Sequence, residues 1–266
     1  MIPQDRHHLA KVPAVTLGFW IIKILATTLG ETGGDTVSMT YTDMMGMSHD
    51  AGYLIGTAVF LPLLIVLVAL QIRAKGFHPF LYWATIIAST TAGTTMADFA
   101  TRSMGIGYAG GSSVLLAAVL ASLAIWYRAL GTISAASVHT PRAEIFYWIT
   151  ITLSQTLGTA LGDWAADDVG LNLGYSGAAV IFAIGLAALA ALYAFTKVSR
   201  VTLFWAAFIL TRPLGAAVGD FLDKPLAKGG LDFSRPLASA ILAIAIVALI
   251  LILPQRAEDR AGQSAE

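Results

Sequence analysis

The sequence contains no cysteine and few charged residues. The absence of cysteine excludes disulfides, thiolate metal sites and thiol catalysis. Only 12% of the 266 residues are charged, whereas 57% are hydrophobic. Polar side chains are therefore too few to cover a soluble globule of this length. The composition predicts a protein whose main partner is the lipid bilayer.

Motifs of common enzymes are also missing from the sequence. No phosphate-binding loop, nucleophile elbow or dinucleotide fingerprint is visible. The histidines lie in predicted tails and loops, so a zinc or copper site at membrane depth is not expected; they are His7, His8, His49, His78 and His139. We therefore predict no enzymatic activity, no tightly bound cofactor and no nucleic-acid partner.

Apolar stretches of about 20 residues, the length needed to cross the hydrocarbon core of a bilayer, recur along the whole chain. They lie at about 13–34, 53–72, 80–99, 108–127, 144–163, 175–195, 201–220 and 235–253. Together they predict a single transmembrane domain (1–266), which is all-α and has eight transmembrane helices. Short tails are expected at 1–12 and 255–266.

An aromatic-Trp pair occurs four times, and each copy is followed at fixed offsets by a glycine and an aspartate. The pairs are Phe19-Trp20, Tyr82-Trp83, Tyr147-Trp148 and Phe204-Trp205; the glycines are Gly30, Gly93, Gly158 and Gly215; the aspartates are Asp35, Asp98, Asp163 and Asp220. This register divides the chain into repeats at about 13–74, 75–140, 141–198 and 199–254. Two helices per repeat give parallel copies rather than inverted ones, so we expect a pseudo-fourfold or two-by-two arrangement around an axis along the membrane normal.

Polar residues follow one another every four positions in each odd-numbered helix, which places them on one helix face. The four stripes are Lys23, Thr27, Glu31, Asp35; Thr90, Thr94, Asp98, Arg102; Gln155, Thr159, Asp163, Asp167; and Arg212, Ala216, Asp220, Lys224. Exposing such a face to lipid is unfavourable. The odd helices should therefore line a common polar core, bring the four repeat aspartates together, and leave the even helices outside.

Small residues beside each stripe are spaced four apart, a pattern that lets helix backbones approach closely in a bilayer. The pairs are Gly30/Gly34, Gly93/Ala97, Gly158/Gly162 and Gly215/Gly219. We interpret them as packing positions.

The stripes carry six acidic and four basic residues, which leaves a formal surplus of two negative charges. This balance favours a bound divalent cation or two exchanged protons, although protonated carboxylates would also remove the surplus. Carboxylate, hydroxyl and amide oxygens are hard ligands that suit magnesium, calcium or manganese. The predicted metal ligands are Glu31, Asp35, Asp98, Asp163 and Asp220, completed by Thr27, Thr90, Thr94, Gln155 and Thr159, with Lys23, Arg102, Arg212 and Lys224 balancing charge.

The leading hypothesis is therefore a proton-coupled secondary transporter or exporter of a hard divalent cation. Two alternatives stay open. Lys23, Arg102 and Arg212 could instead bind a small anion or a zwitterion as the transported substrate. The charged residues could also form a salt-bridge network that only holds together a structural or sensor protein. The sequence does not indicate an oligomeric state.

Lys and Arg are unevenly distributed between the two ends of the predicted helices, ten against four. The richer side has Arg6, Lys11, Arg73, Lys75, Arg128, Arg142, Lys197, Arg200, Arg256 and Arg260; the poorer side has Arg102, Lys224, Lys228 and Arg235. This bias predicts that both termini are cytoplasmic. Trp20, Trp83, Trp148 and Trp205 then fall near the cytoplasmic interface, together with Trp126, where we expect them to form an aromatic belt.

The four Trp, Gly and Asp registers resemble those of a family of bacterial integral membrane proteins described by a tandem repeat of unknown function. Its members have four copies, each with two transmembrane helices and a characteristic tryptophan. The resemblance covers Lys11–Pro254 and implies the same topology in a bacterial inner membrane. GETGGDT (Gly30–Thr36) is also similar to the Glu-x-Gly-Asp signature of a separate family of manganese and calcium cation/proton exchangers. It has one extra glycine, and the other three copies lack the glutamate. This second similarity implies manganese as the cargo.

Overall fold

The structure is a computed structural model that describes residues 9–259. The distal parts of both predicted tails, including Arg6 and Arg260, lie outside the described residues. The main elements are eight long helices, which coincide with the predicted apolar stretches and confirm the all-α fold. They are α1 Leu17–Asp35, α2 His49–Arg73, α3 Pro79–Asp98, α4 Gly107–Leu130, α5 Pro141–Ala166, α6 Gly174–Phe195, α7 Arg200–Asp223 and α8 Arg235–Ile252.

Local sequence sets where several of these helices begin and end. The hydroxyls of Thr16, Ser48 and Thr140 each accept a hydrogen bond from a backbone N–H in the first turn of the helix that follows. Proline in the first turn of α3 supplies a preset φ angle and needs no hydrogen-bond partner there. Gly131 ends α4 in the left-handed conformation, with φ of 74°.

The odd helices form a closed inner ring in which α1 packs on α3, α3 on α5, α5 on α7, and α7 back on α1. Each even helix packs outside on the odd helix of the next repeat: α2 on α3, α4 on α5, α6 on α7, and α8 on α1. Buried residues make up 6% to 28% of the most apolar window of each even helix, against 56% for α7. The predicted division into inner odd helices and outer even helices is therefore confirmed.

Glycines of one odd helix lie directly against stripe residues of the next. A Cβ atom added at Gly34 would be 3.0 Å from Thr94 Cβ, one at Gly93 would be 3.0 Å from the backbone of Gln155, and one at Gly219 would be 2.7 Å from Glu31 Cβ. The same relation repeats around the ring, which gives it pseudo-fourfold symmetry. The small-residue pairs thus act as packing positions, as predicted.

Five helices are long and apolar enough to cross a membrane by length and composition: α2, α4, α6, α7 and α8. The other three, α1, α3 and α5, are inner helices with many buried polar residues. Burial of their polar faces against each other hides this polarity from lipid. The chain is a multi-pass helical membrane protein, while the count of eight spans stays a prediction for these three helices.

A buried aromatic layer closes the core near the start of the odd helices. The aromatic residue before each repeat Trp contacts the Trp of the adjacent repeat, with ring centroids 5.5, 5.7, 6.1 and 6.0 Å apart; the contacts are Phe19–Trp83, Tyr82–Trp148, Tyr147–Trp205 and Phe204–Trp20. At most 3% of Trp83, Trp148, Trp205 and Trp126 is exposed. The predicted aromatic belt is therefore wrong for these tryptophans, because four helix ends that converge on one axis leave a space that large side chains fill.

The described parts of the predicted tails are not free. The strands β1 (Leu9–Pro13) and β2 (Ala257–Asp259) pair in antiparallel fashion. Lys11 Nζ lies 2.7 Å from Glu144 Oε1 at the start of α5 and donates a hydrogen bond to the Ile72 carbonyl. The two ends of the chain are thus joined beside the aromatic layer, at the opposite end of the bundle from the repeat aspartates.

Candidate functional site

Equivalent residues of the four polar stripes lie at the same height in the inner ring. The stripes therefore form successive polar levels along the axis of the ring. Glu31, Asp35, Asp98, Asp163 and Asp220 are between 0% and 4% exposed. The four repeat aspartates therefore lie buried inside the inner ring, where they form two pairs, Asp98 with Asp163 and Asp35 with Asp220. The site is closed to solvent in this conformation.

Asp98 and Asp163 share one guanidinium group. Arg102 Nε lies 3.1 Å from Asp98 Oδ1, and Arg102 Nη2 lies 3.0 Å from Asp163 Oδ2. Arg102 Nη1 also donates to the Tyr53 hydroxyl at 3.4 Å. Arg102 follows α3 in a π-helical turn, Phe99–Ser103, which directs it across the ring to α5. These two aspartates thus share a single internal cation.

Asp35 and Asp220 share the ammonium group of Lys224. Lys224 Nζ contacts Asp35 Oδ2 and lies 2.9 Å from Asp220 Oδ1 and 3.8 Å from Asp223 Oδ1. Burial alone would lower the pKa of Lys224, but the carboxylates of Asp220, Asp35 and Asp223 outweigh burial and raise this pKa well above the usual value for lysine. Lys224 is therefore charged at neutral pH and acts as a tethered cation between the carboxylates.

Glu31 lies one helical turn deeper and pairs with Arg212. Arg212 Nη2 donates to Glu31 Oε2 at 2.9 Å and to the hydroxyls of Thr94 and Thr159 at 2.6 Å each. Arg212 and both threonines are fully buried. One guanidinium nitrogen thus links four helices of the inner ring.

Glu31, Asp35 and Asp220 come closest to forming a metal site. Each offers one carboxylate oxygen, and these oxygens all lie within 4.8 Å of one another. Asp35 Oδ1 is buried and has no hydrogen-bond partner in the part of the chain that the structure describes. This set could hold a hard cation. Asp98 and Asp163 are instead grouped around Arg102.

Lys23 is the deepest charge in the core, and its surroundings differ from those predicted. Its Nζ lies 3.5 Å from Gln155 Oε1 and 4.1 Å from the centre of the Phe208 ring. Among residues 9–259, no carboxylate oxygen lies within 4.0 Å of it. Lys23 therefore does not pair directly with the carboxylates that it was predicted to balance.

The remaining predicted hydroxyl ligands divide into two groups. Thr94 and Thr159 bond to Arg212 beside Glu31, as described above. The Thr27 hydroxyl donates to backbone carbonyls, including that of Lys23 at 3.1 Å, while Thr90 Oγ1 is buried without a partner in the described chain. Thr27, Thr90 and Gln155 thus lie one turn below the carboxylates rather than among them.

Two charged residues of the network were missed from the sequence, and one was wrongly included. Asp223 is 4% exposed, and Arg235 at the start of α8 lies 3.7 Å from Asp223 and 4.0 Å from Asp35. Asp223 follows Asp220 by three residues and hence shares its helix face, a signal that could have revealed it. Asp167 instead lies in the loop after α5, where it accepts hydrogen bonds from Tyr108 and the Val169 N–H.

The chain matches a known family. A family profile described as Repeat of Unknown Function (DUF347) matches residues 18–77, 81–132, 146–199 and 203–256. No curated protein and no solved structure matches the chain. The similarity of Gly30–Thr36 to cation/proton exchangers has no counterpart in these comparisons and stays a hypothesis. Four tandem matches that span most of the sequence identify the chain as a member of the DUF347 repeat family.

Proposed function

We propose that the protein is a secondary transporter that moves a hard divalent cation across the membrane in exchange for protons, with manganese as the first cargo to test. The observation that carries this proposal is the convergence of Glu31, Asp35 and Asp220 within 4.8 Å on the axis of the inner ring. Ionisable residues in this part of a membrane protein are unfavourable unless they have a function or a partner. Three carboxylates in one place are the ligands that manganese, magnesium and calcium prefer.

The charge balance of the network supports a divalent cargo. Six carboxylates take part, against four basic side chains within 4.0 Å of them. The carboxylates are Glu31, Asp35, Asp98, Asp163, Asp220 and Asp223; the basic residues are Arg102, Arg212, Lys224 and Arg235. The formal surplus of two negative charges equals the charge of one divalent cation. Two protons would balance the same surplus after the cation leaves.

Lys224 and Arg212 act in this proposal as internal substitutes for the cargo. The Lys224 ammonium group lies between Asp35 and Asp220, and Arg212 pairs with one carboxylate oxygen of Glu31. Lys224 follows the last residue of α7, so its side chain can leave the carboxylates without movement of the helix axis. An entering cation displaces the ammonium group, which returns when the cation departs.

In this proposal the buried site is the occluded state of the transporter. Asp35 is 0% exposed and Asp220 is 2% exposed, while the aromatic layer closes the path toward the chain termini. A transporter must pass through such a state to avoid an open pore. Opening on one side requires the network of Arg102 and Lys224 to separate, and opening on the other requires the aromatic rings to part.

The proposal is tested by manganese flux into proteoliposomes under an imposed pH gradient. We expect Asp35→Asn and Asp220→Asn to reduce flux more than tenfold, since loss of even an outer partner of a metal ligand commonly weakens binding about 10- to 100-fold. Asp232→Asn is the matched control, because Asp232 is exposed and its φ of 57° is tolerated by asparagine. Size-exclusion profiles establish that each variant is folded.

Two results would overturn the transport proposal. One is a wild-type protein that moves none of manganese, magnesium and calcium. The other is equal flux in wild type, Asp35→Asn and Asp220→Asn. Either result would favour the alternative in which the salt bridges only stabilise the bundle.

We also propose a bacterial inner-membrane location with both termini in the cytoplasm. Because the chain has no cysteine, single cysteines can report this orientation without background labelling. Lys228→Cys and Arg256→Cys lie at exposed positions at opposite ends of the bundle. A membrane-impermeant thiol reagent should label Lys228→Cys, and not Arg256→Cys, in spheroplasts.

A further inference from the structure

A level of the core directly below the carboxylates is rich in hydrogen-bond donors that have no protein partner. The side chains seven residues after each repeat Trp are Thr27, Thr90, Gln155 and Arg212, and all are 0% exposed. In the described chain, Thr90 Oγ1, Gln155 Nε2 and both Nε and Nη1 of Arg212 lack a hydrogen-bond partner. Equivalent positions of the four repeats lie at one height in the inner ring, so these groups belong to one buried level of the core.

Lys23 adds an amine nitrogen next to this donor-rich level. It lies one turn below, and among residues 9–259 its Nζ contacts Gln155 Oε1 at 3.5 Å and the face of the Phe208 ring. Gln155 uses its oxygen for this contact, which leaves its NH₂ group free to donate. The level therefore combines the Arg212 guanidinium and the Lys23 amine with amide and hydroxyl donors. The nearest carboxylate of the deep core, Glu31, is bound to a different nitrogen of Arg212.

Loss of the Lys23 proton would not satisfy this arrangement. A neutral amine would still leave the Gln155 NH₂ group and two nitrogens of Arg212 without acceptors, and arginine does not lose its proton in proteins. A cation is excluded because the Arg212 guanidinium is positively charged and these N–H groups have no lone pair to offer it. A single acceptor that carries negative charge satisfies all of these donors at once.

We propose that the protein binds one small monovalent anion, a halide or a small carboxylate, on the axis of the inner ring between Lys23, Thr90, Gln155 and Arg212. This site goes beyond the transport of a divalent cation and rests on different residues. Arg212 connects the two sites, because its Nη2 binds Glu31 while its Nε and Nη1 face the anion. Release of Glu31 to an entering cation leaves Arg212 free for the anion, so the two ions favour each other's binding.

The test uses the purified full-length protein in detergent with EDTA present, so that divalent cations play no part. Sodium gluconate is replaced by sodium chloride, bromide, formate or acetate at constant ionic strength. Binding of radiolabelled chloride or formate is measured, together with the thermal unfolding midpoint. Comparison of the halide salts with the carboxylate salts shows which of the two kinds of anion the site binds. We expect saturable binding and a raised unfolding midpoint in one of the arms.

Two variants and one control locate the effect. Lys23→Met should weaken anion binding at least tenfold, which is the effect of losing one charged hydrogen bond. Gln155→Glu places a carboxylate among the donors, so it should raise the unfolding midpoint in gluconate and abolish its dependence on added anion. Lys228→Met removes an exposed lysine and should behave as wild type.

The inference is overturned if no anion binds to the wild-type protein or raises its unfolding midpoint. It is also overturned if Gln155→Glu keeps the anion dependence of wild type, an outcome that remains measurable even if Lys23→Met does not fold. Manganese flux that depends on Asp220, without any anion binding, would remove this inference and leave the cation proposal intact.

Discussion

Because α7 and α1 are in close contact, a single substitution between them tests both the helix packing and the candidate site. A Cβ atom at Gly215 would lie 2.6 Å from Thr27 Cβ and 2.9 Å from the Thr27 backbone carbon. Carbon atoms prefer a separation of about 3.5 to 4.0 Å, so Gly215→Ala should push the two helices apart by about 1 Å. Thr27 cannot relieve the contact, because its Cβ and backbone are part of α1 and its hydroxyl bonds to the Thr211 carbonyl on α7.

Gly33→Ala is the matched control, since a Cβ atom there meets nothing within 4 Å. Both substitutions gain about 1 kcal/mol of helix propensity, so the difference between them isolates the contact. Overpacking commonly destabilises a protein by about 1–3 kcal/mol. We therefore expect Gly215→Ala to unfold about 2–12 °C below Gly33→Ala.

Tryptophan fluorescence during heating of the detergent-solubilised protein measures both unfolding midpoints. Separation of α7 from α1 should also increase the distance between Arg212 on α7 and Glu31 on α1. Manganese flux should therefore fall in Gly215→Ala and persist in Gly33→Ala. Equal unfolding midpoints for the two variants would refute the closed ring of inner helices.

Two further predictions concern buried polar pairs, and the same unfolding measurement checks both. Glu31→Gln should destabilise the protein by about 3–5 kcal/mol because it leaves the Arg212 charge buried without its carboxylate, and Glu31→Gln/Arg212→Met should recover part of this loss; strictly additive effects would contradict the pairing. The hydroxyls of Tyr82 and Tyr147 lie 2.6 Å apart in the aromatic layer, so either single change to Phe should lose about 1–3 kcal/mol. The double change should lose less than the sum, and an uncoupled double variant would argue against this hydrogen bond.

Much of the inner ring could be predicted from local sequence. Spacing of four residues places Glu31 and Asp35 on one face of α1 wherever that helix lies, and the equivalent aspartates follow from the repeat. The cost of exposing such faces to lipid then determines that they turn inward. Periodicity and the polarity of single side chains are sufficient to predict this arrangement.

Contacts between distant parts of the chain could not be predicted in this way. Arg235 reaches Asp35 because α8 packs on α1, a pairing that no local pattern encodes. The tryptophans follow the spacing of an interfacial belt, yet Trp83 is buried because a neighbouring repeat supplies Phe19 against it. Lys23 has the same spacing as residues that pair with carboxylates, but its helix places it beside Gln155. Local periodicity predicts which face of a helix turns inward. It does not predict which residue of another helix that face contacts.

Closure of the inner ring by α7 and α8 imposes an order on synthesis of the protein. Glu31 and Arg212 are separated by 181 residues, so α1 leaves the ribosome long before its partner exists. During this interval Lys23, Glu31 and Asp35 are in the nascent chain without the basic residues of α7 and α8. Stable insertion of α1 into lipid therefore has to wait until α7 and α8 have been synthesised, or an insertion factor has to shelter its polar face until then.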